Sequence, residues 1–281
     1  MKTIGIVGLG LIGGSMAKTV KRCMEDCLVA GYDLDKSVEE KALRDGAIDR
    51  AGVEAVLETD FIMVALYPRQ TVEFVKQHAD AMRRHTLVMD LCGVKQLVCR
   101  ELGQFCADRE LWFVGGHPMA GREFSGYDYT LPSLFTGASM ILTPTEASNE
   151  PLLEGLKGFF QALEFGKVVV TTAENHDRMI AFTSQLAHVV SNAYIKSPEA
   201  DRHNGYSAGS YKDLTRVARL NEVMWAELFL CNREPLLVEI DTIIENLGKV
   251  RDAIAEEDAE RLKALLKEGS DRKKVIDLFV E

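Results

Sequence analysis

The chain has 281 residues, 47% hydrophobic and 27% charged, with a formal net charge of −10. Such a profile belongs to a globular protein with room for a large core in one or two domains, and its acidity speaks against nucleic acid or an anionic membrane as the main partner. No apolar run reaches the ~18 residues of a membrane span, and the six scattered cysteines lack zinc-site pairing, so reduced thiols, a cytoplasmic setting and no metal are expected. Cys23 and Cys27, four residues apart, read as helix packing.

Near the start, Ile4, Ile6 and Val7 form a short β-branched run that passes at once into Gly8-Leu9-Gly10-Leu11-Ile12-Gly13. Strand, glycine turn and helix in this order make a dinucleotide-binding turn. Gly8 permits the bend, Gly10 lets the backbone approach a pyrophosphate, and Gly13 lets the helix pack on the strand. Leu11 and Ile12 then bring free N–H groups at a helix N-terminus to the phosphates. A second apolar run over residues 28–32 ends in Asp33, whose carboxylate suits the ribose hydroxyls and repels a 2′-phosphate, so NAD is expected rather than NADP.

Strand-like runs recur at residues 61–66, 86–90 and 111–114, separated by helix-compatible stretches at 37–45, 71–81 and 95–103. This alternation predicts a parallel sheet covered on both faces. Runs at 139–142 and 167–172, flanking a helical segment at 151–163, extend it. From Ala173 onward only helical patterns follow, at 175–194, 214–247, 249–254 and 257–267, with a flexible loop expected over 197–210. The fold class is therefore α/β, with a Rossmann-like dinucleotide-binding sheet in residues 1–172 and an all-α domain in residues 173–281. Apolar residues surround the helix at 225–231, which predicts burial in a bundle or against a second subunit; a homodimer through the helical domain is expected.

Ligands of open α/β sheets bind outside the carboxyl ends of the strands, where residues 90–95 and 115–122 fall. His117 directly follows a predicted strand, between Gly115-Gly116 and Pro118. A neutral imidazole there can accept a proton or hydrogen bond from a substrate hydroxyl. In the helical half, Ile180, Ser184 and His188 share one helix face, which turns His188 toward a cleft or toward the core. Asp213 and Arg216 lie one turn apart: the acid orients the guanidinium or caps the helix, and Arg216 is either a carboxylate fork or half of a surface pair.

Taken together and in order, residues 8–15 (Gly8 to Ser15), His117-Pro118-Met119-Ala120-Gly121, Gln185-Leu186-Ala187-His188, and Asp213-Leu214-Thr215-Arg216-Val217-Ala218 with Trp225 beyond resemble the prephenate dehydrogenase family. The resemblance spans nearly the whole chain. It implies a Rossmann-like domain, a helical dimerisation domain, and the NAD-dependent oxidative decarboxylation of prephenate to 4-hydroxyphenylpyruvate on the path to tyrosine. Carried over residue by residue, it implies that His117 is catalytic, accepting the hydrogen bond of the ring C4 hydroxyl. His188 and Arg216 would hold the dicarboxylate, with Gly209, Asp213 and Trp225 supporting the substrate side and Gly93 beside the cofactor.

Two positions depart from the family pattern. Gly93 stands where relatives commonly have serine, which removes a hydroxyl that assists the histidine and leaves its role to a water or the cofactor. Arg122 stands where many have threonine, adding a cation that faces the dianionic substrate or pairs with Glu123. The alternatives are an arogenate dehydrogenase, a β-hydroxyacid-type dehydrogenase, which would use a lysine where this chain offers His188, and a non-catalytic NAD-binding regulator. No further regulatory domain is expected after the helices, so any feedback by tyrosine would act at the active site.

Overall fold

The computed structural model describes residues 3–122 and 124–278. The chain divides into two compact units, Met1–Arg233 and Glu234–Glu281.

The first unit opens with β1 (Thr3–Val7), α1 (Leu11–Cys23), β2 (Leu28–Tyr32), α2 (Lys36–Arg44), β3 (Arg50–Ala51), α3 (Val53–Leu57), β4 (Phe61–Val64) and α4 (Pro68–His78). It continues through β5 (Leu87–Asp90), α5 (Gln96–Ala107), β6 (Trp112–Pro118), β7 (Ser139–Pro144), α6 (Glu150–Ala162) and β8 (Lys167–Val170). All eight strands form one sheet in the order β3-β2-β1-β4-β5-β6-β7-β8. The order reverses at β1, which lies between β2 and β4, and the glycine turn leaves the sheet at that crevice. Side chains alternate along each strand: Phe61 and Met63 join one buried cluster while Ile62 and Val64 join the other. A sheet covered on both faces has no polar side to show, which is why its strands read as unbroken apolar runs.

The sheet is mixed rather than parallel. β6 pairs antiparallel with β7, with His117 opposite Ile141 and Pro118 opposite Met140. The strand thus runs beyond the expected 111–114, and His117 sits inside it instead of after it. Gly115 and Gly116 hid the extension, because glycine has poor strand propensity. Here glycine is needed: a Cβ on Gly116 would lie 2.8 Å from the Asp90 carbonyl oxygen of the neighbouring strand. The two-residue β3 and the short α3 carry too few residues for a periodic signal. Cys27 also departs from the helix reading, since α1 ends at Cys23 and Cys27 is buried in the connection to β2. All six cysteines are free thiols.

Beyond β8 the described residues contain only helices: α7 (Ala173–Ile180), a π turn (Ala181–Gln185), α8 (Leu186–Tyr194), α9 (Gly209–Thr215), α10 (Glu222–Cys231), α11 (Arg233–Ala255) and α12 (Ala259–Asp277). The 197–210 stretch holds a 3-10 turn at Pro198–Arg202 and the start of α9. The 214–247 pattern is three helices, not one. Asn221 starts α10 by accepting from the Met224 N–H at 3.0 Å, and Asn232 ends it. Residues 249–254 belong to α11. Within the first unit, α7 packs on β7 and α5, and α10 on α4. In the second unit α11 and α12 leave Leu237, Val238, Ile244, Leu247 and Leu266 exposed. No described helix is long and apolar enough to cross a membrane.

Candidate active site

A cleft of ≈ 630 Å³ opens in the first unit at the carboxyl ends of the central strands. Gly10, Leu11, Ile12, Gly93, His117, Arg122, His188, Arg216 and Trp225 all line it, so most of the residues singled out in sequence share one cavity.

Its cofactor end is built from backbone. Gly8 has φ +81°, and a Cβ there would lie 2.6 Å from the Ala65 carbonyl oxygen. A Cβ on Gly13 would lie 1.9 Å from the Gly8 oxygen, so α1 can start against the turn only with glycine at this place. Gly10 has open space around it and caps α1 with no side-chain hydrogen bond. An uncapped helix N-terminus bordering an open cleft fits the pyrophosphate of a dinucleotide. Asp33 lies just past β2, away from the cleft lining, where its carboxylate accepts from the Leu9 N–H at 2.8 Å and the Asp35 N–H at 3.0 Å.

His117 looks into the cleft from β6, its Nε2 3.9 Å from where a Cβ on Gly93 would stand. Behind the ring runs a chain of buried groups that the sequence did not reveal. His117 Nδ1 is 2.9 Å from His176 Nε2, and His176 Nδ1 is 2.7 Å from Asp177 Oδ1. Asp177 also accepts from the backbone N–H groups of Lys95 at 2.7 Å and Gln96 at 2.9 Å, at the start of α5. His176 is 1% exposed, and Asp177, Lys95 and Asp90 are 0% exposed. Lys95 Nζ is paired with Asp90. Burial first, then His176 and Lys95, push the His117 imidazole well below its usual range. Burial also lowers His176, although Asp177 opposes the shift. Both rings are therefore neutral near pH 7. A signal for His176 was present in the sequence: the face Ile180-Ser184-His188, extended back one turn, begins at residue 176.

Ile180, Ser184 and His188 all line the cleft, but a π turn intervenes where the sequence predicts regular helix. Its last residue, Gln185, is buried and bonds to the Leu228 carbonyl of α10 and to Asn232. Such wide turns often mark functional sites. His188 Nδ1 donates to the Val217 carbonyl at 3.1 Å, and its ring centroid lies 3.9 Å from that of Trp225. Burial, with Arg216 nearby, lowers its pKa.

Three guanidinium groups border the cavity: Arg122, Arg216 and Arg219, the last of which sequence reasoning passed over. Arg122 Cζ lies 5.7 Å from the Phe124 ring centroid; Glu123, its suggested partner, is outside the described residues. Gly209 and Asp213 lie on exposed α9 and do not line the cleft. Asp213 is inside that helix, so it does not cap its N-terminus; Ala208 holds the cap position. Among the described residues no group of three or more His, Cys, Asp or Glu side chains is arranged to hold a metal ion.

Comparison with known proteins agrees with this geometry. Residues 16–170 match the family model described as prephenate dehydrogenase, nucleotide-binding domain, and residues 172–268 match prephenate dehydrogenase, dimerization domain. A prephenate dehydrogenase of Bacillus subtilis is 31% identical over 96% of this chain and 74% of its own length. A cyclohexadienyl dehydrogenase of Zymomonas mobilis is 31% identical over 95% of this chain and 94% of its own. The crystal structure of prephenate dehydrogenase from A. aeolicus, in complex with hydroxyphenyl propionate and NAD+, superposes with a TM-score of 0.87 at 31% identity and covers 98% of both chains. The chain belongs to the prephenate dehydrogenase family.

Proposed function

We propose that this chain catalyses the NAD-dependent oxidative decarboxylation of prephenate to 4-hydroxyphenylpyruvate, a step toward tyrosine. The observation that carries it is the convergence of His117, three arginines and the uncapped start of α1 on one cleft. When bound, NAD supplies the two-electron acceptor. His117 Nε2 accepts the hydrogen bond of the C4 hydroxyl and polarises it as electrons leave that carbon. The ring carboxylate departs as CO2, its bonding pair completes the aromatic ring, and the hydroxyl proton stays on the phenol oxygen. Aromatisation drives the reaction, so the chain's own residues need only bind, orient and polarise.

Arg216 clamps a substrate carboxylate through its planar fork, and Arg122 and Arg219 add positive charge around the dianion. His188 has its Nδ1 proton committed to Val217. It receives a carboxylate at Nε2 only once protonated, a state that the bound dianion itself favours. Gly10, Leu11, Ile12 and Gly93 flank the cofactor, with Gly8 and Gly13 shaping the turn and Asp33 on the ribose side. Residues 1–172 carry the cofactor, and residues 173–281 carry the substrate contacts and a homodimer interface that covers the exposed apolar side chains of α11 and α12, in a cytoplasmic enzyme. Gly209 and Asp213 support the substrate side only indirectly, through α9.

Mixing the purified protein with prephenate and NAD should produce NADH, followed by absorbance. Faster turnover of arogenate, in which an amino group replaces the side-chain keto oxygen, would move the assignment to that substrate. No NADH from either substrate would overturn it.

A further inference from the structure

The hydrogen-bond chain behind His117 has a direction. Both Asp177 oxygens accept from backbone N–H groups, so toward His176 the carboxylate is the acceptor and His176 Nδ1 the donor. A neutral imidazole carries one proton. With that proton on Nδ1, His176 Nε2 is a bare acceptor, and the 2.9 Å contact requires His117 to donate from its own Nδ1. The His117 proton is thereby held on the buried side, and Nε2, the nitrogen beside Gly93 and the cleft, is left without one.

We infer that His176 and Asp177 are positioning residues that fix the His117 tautomer, so that the nitrogen facing the substrate hydroxyl is always the acceptor. This rests on the reaction proposed above, in which His117 accepts from that hydroxyl. It also accounts for Gly93: a histidine oriented and polarised from behind has less need of a hydroxyl in front. The charged groups around the two rings are Asp177 on α7, Asp90 on β5 and Lys95 in the turn before α5. The Asp90–Lys95 pair is internally compensated, which leaves the Asp177 carboxylate as the group that gives the chain its direction.

The test reads the tautomer directly. Protein carrying 15N-labelled histidine, free of substrate, should show by two-bond proton–nitrogen correlation that His117 is protonated on Nδ1 and bare on Nε2. Asp177→Leu keeps a similar shape and removes the carboxylate that accepts from His176 Nδ1. Nothing then holds the His176 proton on Nδ1, His117 protonated on Nε2 becomes populated, and kcat falls at least tenfold while NAD affinity is unchanged. His176→Leu removes the acceptor and lowers kcat similarly, whereas His176→Gln, whose amide oxygen can still accept from His117 Nδ1, regains most of that loss. A wild-type His117 protonated on Nε2 would overturn the inference, and so would an Asp177→Leu protein with unchanged tautomer and kcat. Expected tautomers in a protein inert toward prephenate and arogenate would instead overturn the reaction proposed above.

Discussion

The two walls of the cleft are built in different ways. On the sheet side, His117 sits near the end of β6 and Gly93 in the turn just past β5, and the groups behind His117 have essentially no exposure. On the helical side, Arg216 and Arg219 are exposed and His188 half-buried, carried by short helices and the links between them. A strand-borne group with a buried hydrogen-bond chain cannot re-aim, which suits the atom where bonds change. Exposed guanidinium groups on a connecting segment can adjust to a substrate, which suits binding. The contrast implies that substitutions on the sheet side act on kcat, and those on the helical side act on KM.

His117→Asn gives the largest effect expected. Losing a positioned acceptor should lower kcat by roughly 10²–10⁴-fold, while NAD affinity, set by the glycine turn, stays nearly the same. An unimpaired variant would break the contrast outright. The pH dependence sharpens it. In the proposed reaction His117 works in its neutral form, and its pKa lies well below the usual 6.5 because of burial, His176 and Lys95. Activity should therefore hold as pH falls through 6.5 and decline only further down. The same shift acts on stability: the native state binds fewer protons than the unfolded chain, so this contribution is full above the unfolded value and is lost as pH falls below it. An acid limb of kcat/KM centred at or above 6.5 would show that the ring is not held as described.

Arg216→Ala comes next. A charge-assisted hydrogen bond is worth about 1.5–3 kcal/mol, so KM for prephenate should rise about 10- to 150-fold with kcat little changed. Arg219→Ala, which removes a cation at the same margin, should raise KM by a few-fold, on the order of a single exposed charge contact. Steady-state kinetics with prephenate separates these outcomes. A fall in kcat without a change in KM for either arginine would place it at the reacting carbon rather than at a carboxylate.

The sheet side was legible where backbone rules dominate. The glycines at positions 8 and 13 announce the turn because only glycine meets their steric demands, and β1, β2, β4 and β5 show as apolar runs because both faces are covered. Legibility failed where pairing is long-range. The extension of β6 through Gly115 and Gly116 depends on β7, more than twenty residues away, and adjacent His176 and Asp177 read as a polar helix start until the fold brings β6 against them. On the helical side, His188, Arg216 and Trp225, which line the cleft, were singled out chiefly through family resemblance, since i,i+3 pairs and amphipathic faces are common on any helix. The π turn left no mark, because one extra residue per turn changes the helix geometry and not the composition.

Gly93→Ser should have the smallest effect, and it tests whether the sheet side is complete as it stands. A Cβ at this position would lie 3.5 Å from Leu228 Cδ2 and 3.9 Å from His117 Nε2, ordinary contact distances, so serine fits without displacing its neighbours. Its hydroxyl reaches Nε2 and can share that acceptor with the substrate. A neutral hydrogen bond contributes about 0.5–1.5 kcal/mol net, which bounds the change in kcat at about tenfold in either direction. If His117 is already oriented by His176 and Asp177, the gain should be well inside that bound, and the acid limb of the pH profile should stay in place. A gain at the upper limit, with the limb displaced, would mean that the chain behind the ring leaves His117 under-oriented and that a front-side hydroxyl supplies what it lacks.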